Sequence, residues 1–256
     1  LKSIEKKDLV IIATPISKVV DAAKLAIKYG QDNILIEKPG SVNHRELLKL
    51  KNKIKKQNVR IAYNRLCYPS FHKLLECIKK DGGISSCKFS FTEIIDRIDF
   101  EKDLPEIYSK WGISNSLHVI SMAMELIGMP KKIIVKQWGE LNWHKSGSIF
   151  VGCGISKKNI PFSYHSDWQG SGRWGIEVST KKNLYQLVPL EKLYCCPKGK
   201  FNWSEIPLNT AYSDLKTGVA EEISMMLSNK KIKDEMISLS QGIEYNKLAD
   251  KIFGYS

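Results

Sequence analysis

Three short apolar runs, spaced as crossover helices would space them, constrain the fold more than anything else in this sequence. Asp8 to Pro15 and Ile34 to Pro39 are continuous rather than alternating, which is the pattern of strands buried on both faces of a parallel sheet. Val59 to Tyr63 is a third strand, with Asn64 and Arg65 beyond its end. The stretches between them are amphipathic. In Ile16 to Gly30 the apolar positions Ile16, Val19, Val20, Ala23, Ala26 and Ile27 recur at helical spacing, and Gly30 sits where a left-handed C-cap belongs. Asn43 to Glu46 reads as a capping box ahead of a second helix running to about Gln57. Strand, helix, strand, helix, strand over residues 1 to 66 predicts half of a doubly wound sheet. Ligands of such sheets lie outside the carboxyl ends of the strands, where Thr14, Glu37, Lys38 and Asn64 fall.

After Tyr68 and Pro69 the grammar changes. A helix is predicted from Pro69 to Lys80, then a turn at Gly82 and Gly83 and an alternating strand from Cys87 to Thr92. Residues 114 to 127 form another helix, with Leu117, Ile120, Met124 and Ile127 on one face and Gly128 as its stop. From Lys131 to Cys196 strands alternate with polar turns, which predicts an antiparallel meander. The chain closes with an amphipathic helix near Leu215 to Leu227 and a second from about Lys233. The expected division is residues 1–68 and 69–256.

Composition removes several classes. With 43% hydrophobic and 26% charged residues the chain is globular, not disordered or collagen-like. No apolar run approaches the roughly 18 to 20 residues of a membrane span. Cys67, Cys77, Cys87, Cys153, Cys195 and Cys196 show no C-x-x-C pair, and are read as reduced thiols of a cytoplasmic protein, mostly core filler. A net charge of +13 invites a nucleic-acid reading, but only five of the 40 basic residues are Arg (Arg45, Arg60, Arg65, Arg97, Arg173). The lysines are scattered, the densest group being Lys49, Lys51, Lys53, Lys55 and Lys56 on one amphipathic helix, so a solvated surface explains them.

Several pieces in order carry a resemblance: Ala13 to Pro15, Glu37-Lys38-Pro39 ending the next strand, Tyr63 to Arg65 ending the third, a helix bearing His118, and Gly170 to Gly175 in the sheet. The chain resembles the Gfo/Idh/MocA oxidoreductases, a family that includes glucose-fructose oxidoreductase and inositol dehydrogenase. The resemblance implies a partial Rossmann-type sheet followed by a C-terminal α/β domain with a large, mostly antiparallel open sheet. It also implies NAD or NADP as cofactor, a sugar, sugar acid or nucleotide sugar as substrate, and oligomers formed through the open sheet. By family position Lys38 contacts the reacting hydroxyl and His118 is the second catalytic residue. Thr14, Pro15, Glu37, Pro39, Asn64 and Arg65 fall at the cofactor, and Tyr68, Ser114, Asn115 and Arg173 at the substrate. The proline of Glu-Lys-Pro is usually cis in the family.

The chemistry follows from the residue types. Oxidising a secondary alcohol needs a base for the hydroxyl proton while hydride leaves carbon, and a histidine helped by a nearby ammonium can serve. Other readings stay open beside this one: Lys38 as a strand-end lysine, His118 bonded to a backbone carbonyl, Asn64 and Arg65 as loop caps. Tyr68, Trp111, His144, His165, Trp168, Arg173 and Trp174 suit sugar stacking and equally suit a core or a dimer face.

Two departures stand against a simple transfer. The family usually places an Asp one helical turn before the His, whereas Ser114 and Asn115 stand here and bring no negative charge. The G-x-G-x-x-G turn that cradles a pyrophosphate is not in the sequence, and Gly152-Cys153-Gly154 lies in a strand region with no helix after it. The expectation is an N-terminally incomplete copy lacking the first β-α-β units, which binds dinucleotide poorly. A non-catalytic sugar- or nucleotide-sugar-binding paralogue with the same fold is the competing reading, motivated by Ser114. No metal site is expected.

Overall fold

The computed structural model describes residues 5–209 and 215–255. Its first sheet is parallel, three-stranded and ordered as in the sequence: β1 (Val10–Ile12), β2 (Asn33–Glu37) and β3 (Asn58–Ala62). The crossovers are α1 (Ile16–Lys28) and α2 (His44–Lys51), which pack against each other. Helix α1 buries Val19, Val20, Ala23 and Ala26, the stripe its spacing predicts, and Gly30 beyond its end adopts φ +74°.

Three local expectations are corrected. Strand β1 is not buried on both faces: Ile11 is 50% exposed, and among the described residues β1 is hydrogen-bonded only to β2. The capping box at α2 half forms. Asn43 accepts from the Arg45 amide, but Glu46 is held by the Ser41 hydroxyl at 2.6 Å and so does not reach back to the cap. Helix α2 also ends at Lys51, where the run of buried leucines stops, which leaves Lys53, Lys55 and Lys56 beyond it.

The rest of the chain runs α3 (Pro69–Lys80), β4 (Ser86–Phe91), α4 (Pro105–Ser109), α5 (Leu117–Ile127), β5 (Pro130–Trp138), β6 (Ile149–Ser156), β7 (Pro161–Asp167) and β8 (Trp174–Ser179). It continues with β9 (Asn183–Leu187), β10 (Tyr194–Pro197), β11 (Ser204–Glu205), α6 (Val219–Leu227), α7 (Lys230–Lys233) and α8 (Leu239–Phe253). Strands β4 to β11 form one sheet in the order β11-β10-β9-β8-β4-β7-β6-β5. The predicted meander is therefore two antiparallel runs, β5 to β7 and β8 to β11, joined by β4, which pairs parallel with β7 and antiparallel with β8. Alternation along each strand reveals its faces but not its neighbours, so the insertion of β4 was not readable.

The inner face of β4 carries Phe89 and Phe91, which meet Phe150, Phe162, Tyr164 and Phe253 in an aromatic core. Above it lies α5, whose sequence suggested one buried face. Almost every residue of α5 is buried instead, because β4 and β8 cover one side and α8 another.

Helix α8 ties the two sheets together. Its Asn246 amide donates to the Ser41 carbonyl at 2.8 Å, His44 pairs with Asp250 at 2.8 Å, and Tyr245 bonds Glu125 of α5. Leu35 and Ala62 on the other face of the parallel sheet pack on Met226 and Met236, so α6 and the residues after α7 cover that face. Gly218, entering α6 at φ +84°, allows this approach: a Cβ there would lie 2.2 Å from the Asn64 carbonyl oxygen. Among the described residues no helix is long and apolar enough to cross a membrane.

At its far end α8 places Phe253 against a five-residue π-helical turn, Gly112–Ser116, which leads into α5. A Cβ on Gly112 would sit 2.3 Å from the Phe253 ring. Gly112→Ala must therefore push the ring or the turn aside, and the expected loss of unfolding free energy in urea is about 1–3 kcal/mol.

Candidate active site

The carboxyl ends of β2 and β3 and the start of α5 converge on one place. Strand β2 ends in Glu37, and Lys38 follows with a cis peptide bond to Pro39. The Lys38 ammonium donates to the Ser114 carbonyl in the π turn at 2.6 Å. A π turn departs from the ordinary helical ladder, and such turns recur at functional sites. His118 lies on the first turn of α5, 5% exposed. Its Nδ1 is buried with no hydrogen-bond partner among the described residues.

His118 lines a cavity of about 260 Å³ together with Glu37, Asn64, Arg65, Tyr68 and, from the far side, Lys216 and Glu222. The cavity opens at the carboxyl edge of the parallel sheet, and the exposed Ile11 of β1 forms part of its wall. A second, larger cavity of about 380 Å³ lies on the other side of Trp174. Its wall includes Glu93, Tyr108, Trp111, Asn115 and Arg173. Trp174 links the two: its ring centroid is 5.8 Å from that of His118, and the Arg65 guanidinium stands 4.9 Å over its face.

Glu93, two residues past β4, is the centre of the polar network. Its carboxylate accepts from Ser116 Oγ at 2.5 Å, Asn115 Nδ2 at 2.7 Å and Trp174 Nε1 at 3.3 Å.

Burial and charge tune the titratable groups together. Burial holds the His118 imidazole well below its usual range, and the positive charges of Lys38, Arg65 and Lys216 push the same way. Burial lowers Lys38 to about 8 against the attraction of Glu37, while Arg65 lowers it further and Glu93 raises it. Glu37 is exposed as a residue, yet enclosure of its carboxyl raises its pKa against three nearby cations. Glu222 is raised to about 9 by burial and by the charges of Glu37 and Glu221. The result is a neutral imidazole near an ammonium whose pKa is brought down to about 8.

The structure brings His118, Glu37, Asn64, Arg65 and Tyr68 to one cavity and Asn115 and Arg173 to the neighbouring one, while Lys38 lines neither and is held on the Ser114 carbonyl. Thr14 and Pro15 do not line either cavity: Pro15 is the N-cap of α1. Pro39 is buried behind Lys38. Ser114 contributes its backbone, since its hydroxyl turns back to the Trp111 carbonyl at 3.3 Å and not to His118. Of the ambiguous aromatics, Trp111 and Trp174 reach the larger cavity, whereas Trp168 is core and His165 lies exposed on the outer sheet face. His144 is a core residue bonded to the Gly147 carbonyl and the Tyr255 hydroxyl. Sequence reasoning missed Glu93, Tyr108, Lys216 and Glu222. Among the described residues no group of three or more His, Cys, Asp or Glu side chains is placed to hold a metal ion, and the six cysteines are free.

No protein-family model and no curated protein sequence matches the chain. Solved structures match it in fold. An inositol dehydrogenase homologue from Azotobacter vinelandii, in complex with NADH and myo-inositol, has a TM-score of 0.75 at 10% identity, covering 96% of this chain and 75% of its own. A UDP-N-acetylglucosamine 3-dehydrogenase from Acidithiobacillus ferrooxidans has 0.71 at 13%, covering 96% and 77%. An oxidoreductase from Agrobacterium radiobacter, in complex with NAD+, L-tartaric acid and magnesium, has 0.73 at 9%, covering 96% and 77%. At these identities the likeness shows the fold, a Rossmann-like parallel unit followed by an α/β unit with a large mixed sheet.

The buried groups fix the sign of the protein's pH dependence. Glu222 rises from an ordinary value of 4.5 to about 9 on folding, so its contribution to stability is fully present below pH 4.5 and is lost as pH rises towards 9. His118 and His144 are depressed on folding, His144 to about 4, so their contribution is present above pH 6.5 and lost as pH falls. Glu222→Gln removes the first effect alone. Its melting temperature should exceed that of the parent at pH 8, by a margin equivalent to about 2 kcal/mol, and the margin should shrink at pH 5.

Proposed function

We propose that this chain is a nicotinamide-dependent oxidoreductase of the Gfo/Idh/MocA type, acting on a hydroxyl-bearing carbon of a sugar, sugar acid or nucleotide sugar. The observation that carries the reading is the Lys38 ammonium held on the Ser114 carbonyl one turn before a neutral, buried His118, at the carboxyl edge of a parallel sheet. A merely binding paralogue has no need of a base held neutral beside an ammonium whose pKa is about 8. The expected division at residues 68 and 69 goes with this reading, the first part facing the cofactor and the second the substrate.

The cavity beside His118 fits the nicotinamide end of NAD or NADP. Arg65 Nε is a buried donor without a partner, and Asn64 and Glu37 add a second donor and an acceptor on the same wall. Those residues would hold it. When bound, the cofactor supplies the site that accepts or gives hydride.

The chain's own groups handle the proton. His118 Nδ1 is enclosed, so Nε2 is the nitrogen left to take a proton from a substrate hydroxyl. Lys38 donates to the same oxygen as it gains negative charge, and its anchor on the Ser114 carbonyl fixes its direction. The reacting carbon belongs in the cavity that His118 lines, and we assign the larger cavity, with Tyr108, Trp111 and Trp174 as faces and Asn115 and Arg173 as polar groups, to the rest of the substrate. Oligomerisation through the open sheet is part of the proposal: Ile134 and Trp138 are 65% and 53% exposed on the strand at its edge.

Fluorescence titration of NADH and NADPH against the protein expressed from its whole gene, followed by turnover on a panel of sugars and sugar acids, tests the reading. His118→Gln and Lys38→Met should each lower kcat by about 10²- to 10⁴-fold. The pH profile should fall on the alkaline side near pH 8, where Lys38 loses its proton, and on the acid side below the ordinary histidine range. Absence of nucleotide binding, or rates indifferent to both substitutions, would overturn it.

A further inference from the structure

The segment before His118 carries no acid, yet the site holds one from a different element. We propose that Glu93 is the positioning acid of this site: reaching in from the end of β4, its carboxylate fixes the π turn and Trp174 in one arrangement and opposes the positive charge of Lys38 and Arg65. The inference rests on the oxidoreductase reading above and assigns a residue that reading does not use.

Three contacts carry it. Ser116 and Asn115 both belong to the turn whose Ser114 carbonyl anchors Lys38, so Glu93 holds the far side of the turn that Lys38 holds from the near side. The third contact, from Trp174 Nε1, fixes the ring that touches His118 and carries the Arg65 guanidinium. Nδ1 of His118 has no hydrogen-bond partner, so the imidazole is oriented by packing, and Trp174 is the aromatic ring against it. One carboxylate thus reaches both catalytic side chains at one remove.

The donor set also specifies the ionised form. Asn115 Nδ2 and Trp174 Nε1 can only donate, and Ser116 donates as well, so a proton on Oε1, which already accepts two of these bonds, would displace one of them. Burial pulls the other way and raises the Glu93 pKa, with Ser116, Asn115, Trp111 and Trp174 opposing it. The charged and titratable groups around Lys38 are Glu37 beside it on the strand, Arg65 after β3, Glu93 after β4, His118 on α5 and Lys216 before α6. Of these only Glu37 and Glu93 are acids, and Glu93 is the one that is buried.

The test reads the ionisation of Lys38 directly and needs no substrate. Trace labelling with acetic anhydride across pH 6 to 11, followed by peptide mass analysis, gives the midpoint at which Lys38 becomes reactive. Glu93→Gln keeps the shape and still offers an acceptor, and the Asn115 amide can turn to suit it; the Lys38 midpoint should fall by half a pH unit or more. Ser116→Ala, which removes one donor but leaves the charge, should move it far less. Should Glu93→Gln not fold by circular dichroism, Glu93→Met removes the charge and its hydrogen-bond demand together and is read the same way. An unchanged midpoint in a folded charge-free variant overturns the role of Glu93 alone. A parent midpoint in the ordinary lysine range instead removes the enclosed ammonium on which the oxidoreductase reading stands, so the two failures are distinguishable. In turnover assays the alkaline limb should move down with the midpoint, a shift that a merely structural residue would not produce.

Discussion

A lysine ammonium withdrawn from water at the junction of two sheets sets the terms for its surroundings. An uncompensated buried charge costs several kcal/mol, so Lys38 requires partners within reach. The Ser114 carbonyl is one, presented by a segment that makes a π turn instead of an α-helical one. That turn fits only because residue 112 has no side chain to meet Phe253, and Phe253 is in place because α8 spans both sheets. The Tyr255 hydroxyl adds a second tie by accepting from the Gly112 amide at 2.9 Å while facing His144 at 2.7 Å. The end of the chain thereby fixes a carbonyl that a strand-end lysine depends on.

How much of this was legible follows from where each residue stands. Lys38, Asn64 and Arg65 end apolar runs, and the ends of buried strands can be found by reading hydrophobicity alone. His118 was placed by the periodicity of its helix and by resemblance. Glu93 offered no such signal. It follows a strand whose alternation ends at Phe91, and its partners lie 22, 23 and 81 residues away, so only the pairing of β4 with β8 brings Trp174 to it. Glu222 was hidden for a related reason: Glu221 and Glu222 look like one solvated pair, but the first caps Gly218 and the second is turned inward by the packing of α6 on the parallel sheet. The order of the large sheet was illegible on similar grounds, since period-two patterning fixes the face of a strand and not its neighbour.

Trp174 then explains why the site is two cavities and not one. It is the first residue of β8, so its backbone is held by the ladder to Phe91 while its side chain projects past the sheet end. The indole divides the space, with Arg65 stacked from the parallel-sheet side and the Glu93 carboxylate taking its N–H from the side of the large sheet. A group entering from the smaller cavity meets Arg65 and His118, and one entering from the larger cavity meets Trp111 and Asn115. His118 faces the smaller cavity alone, so on the proposed reading proton and hydride move on that side of the indole, and the wall is held by residues of both sheets. A fixed wall of this kind reduces the ordering that a reaction beside His118 must itself supply, because it confines what enters that cavity. The same rigidity carries a cost, since Arg65 Nε and His118 Nδ1 are held enclosed with no hydrogen-bond partner among the described residues.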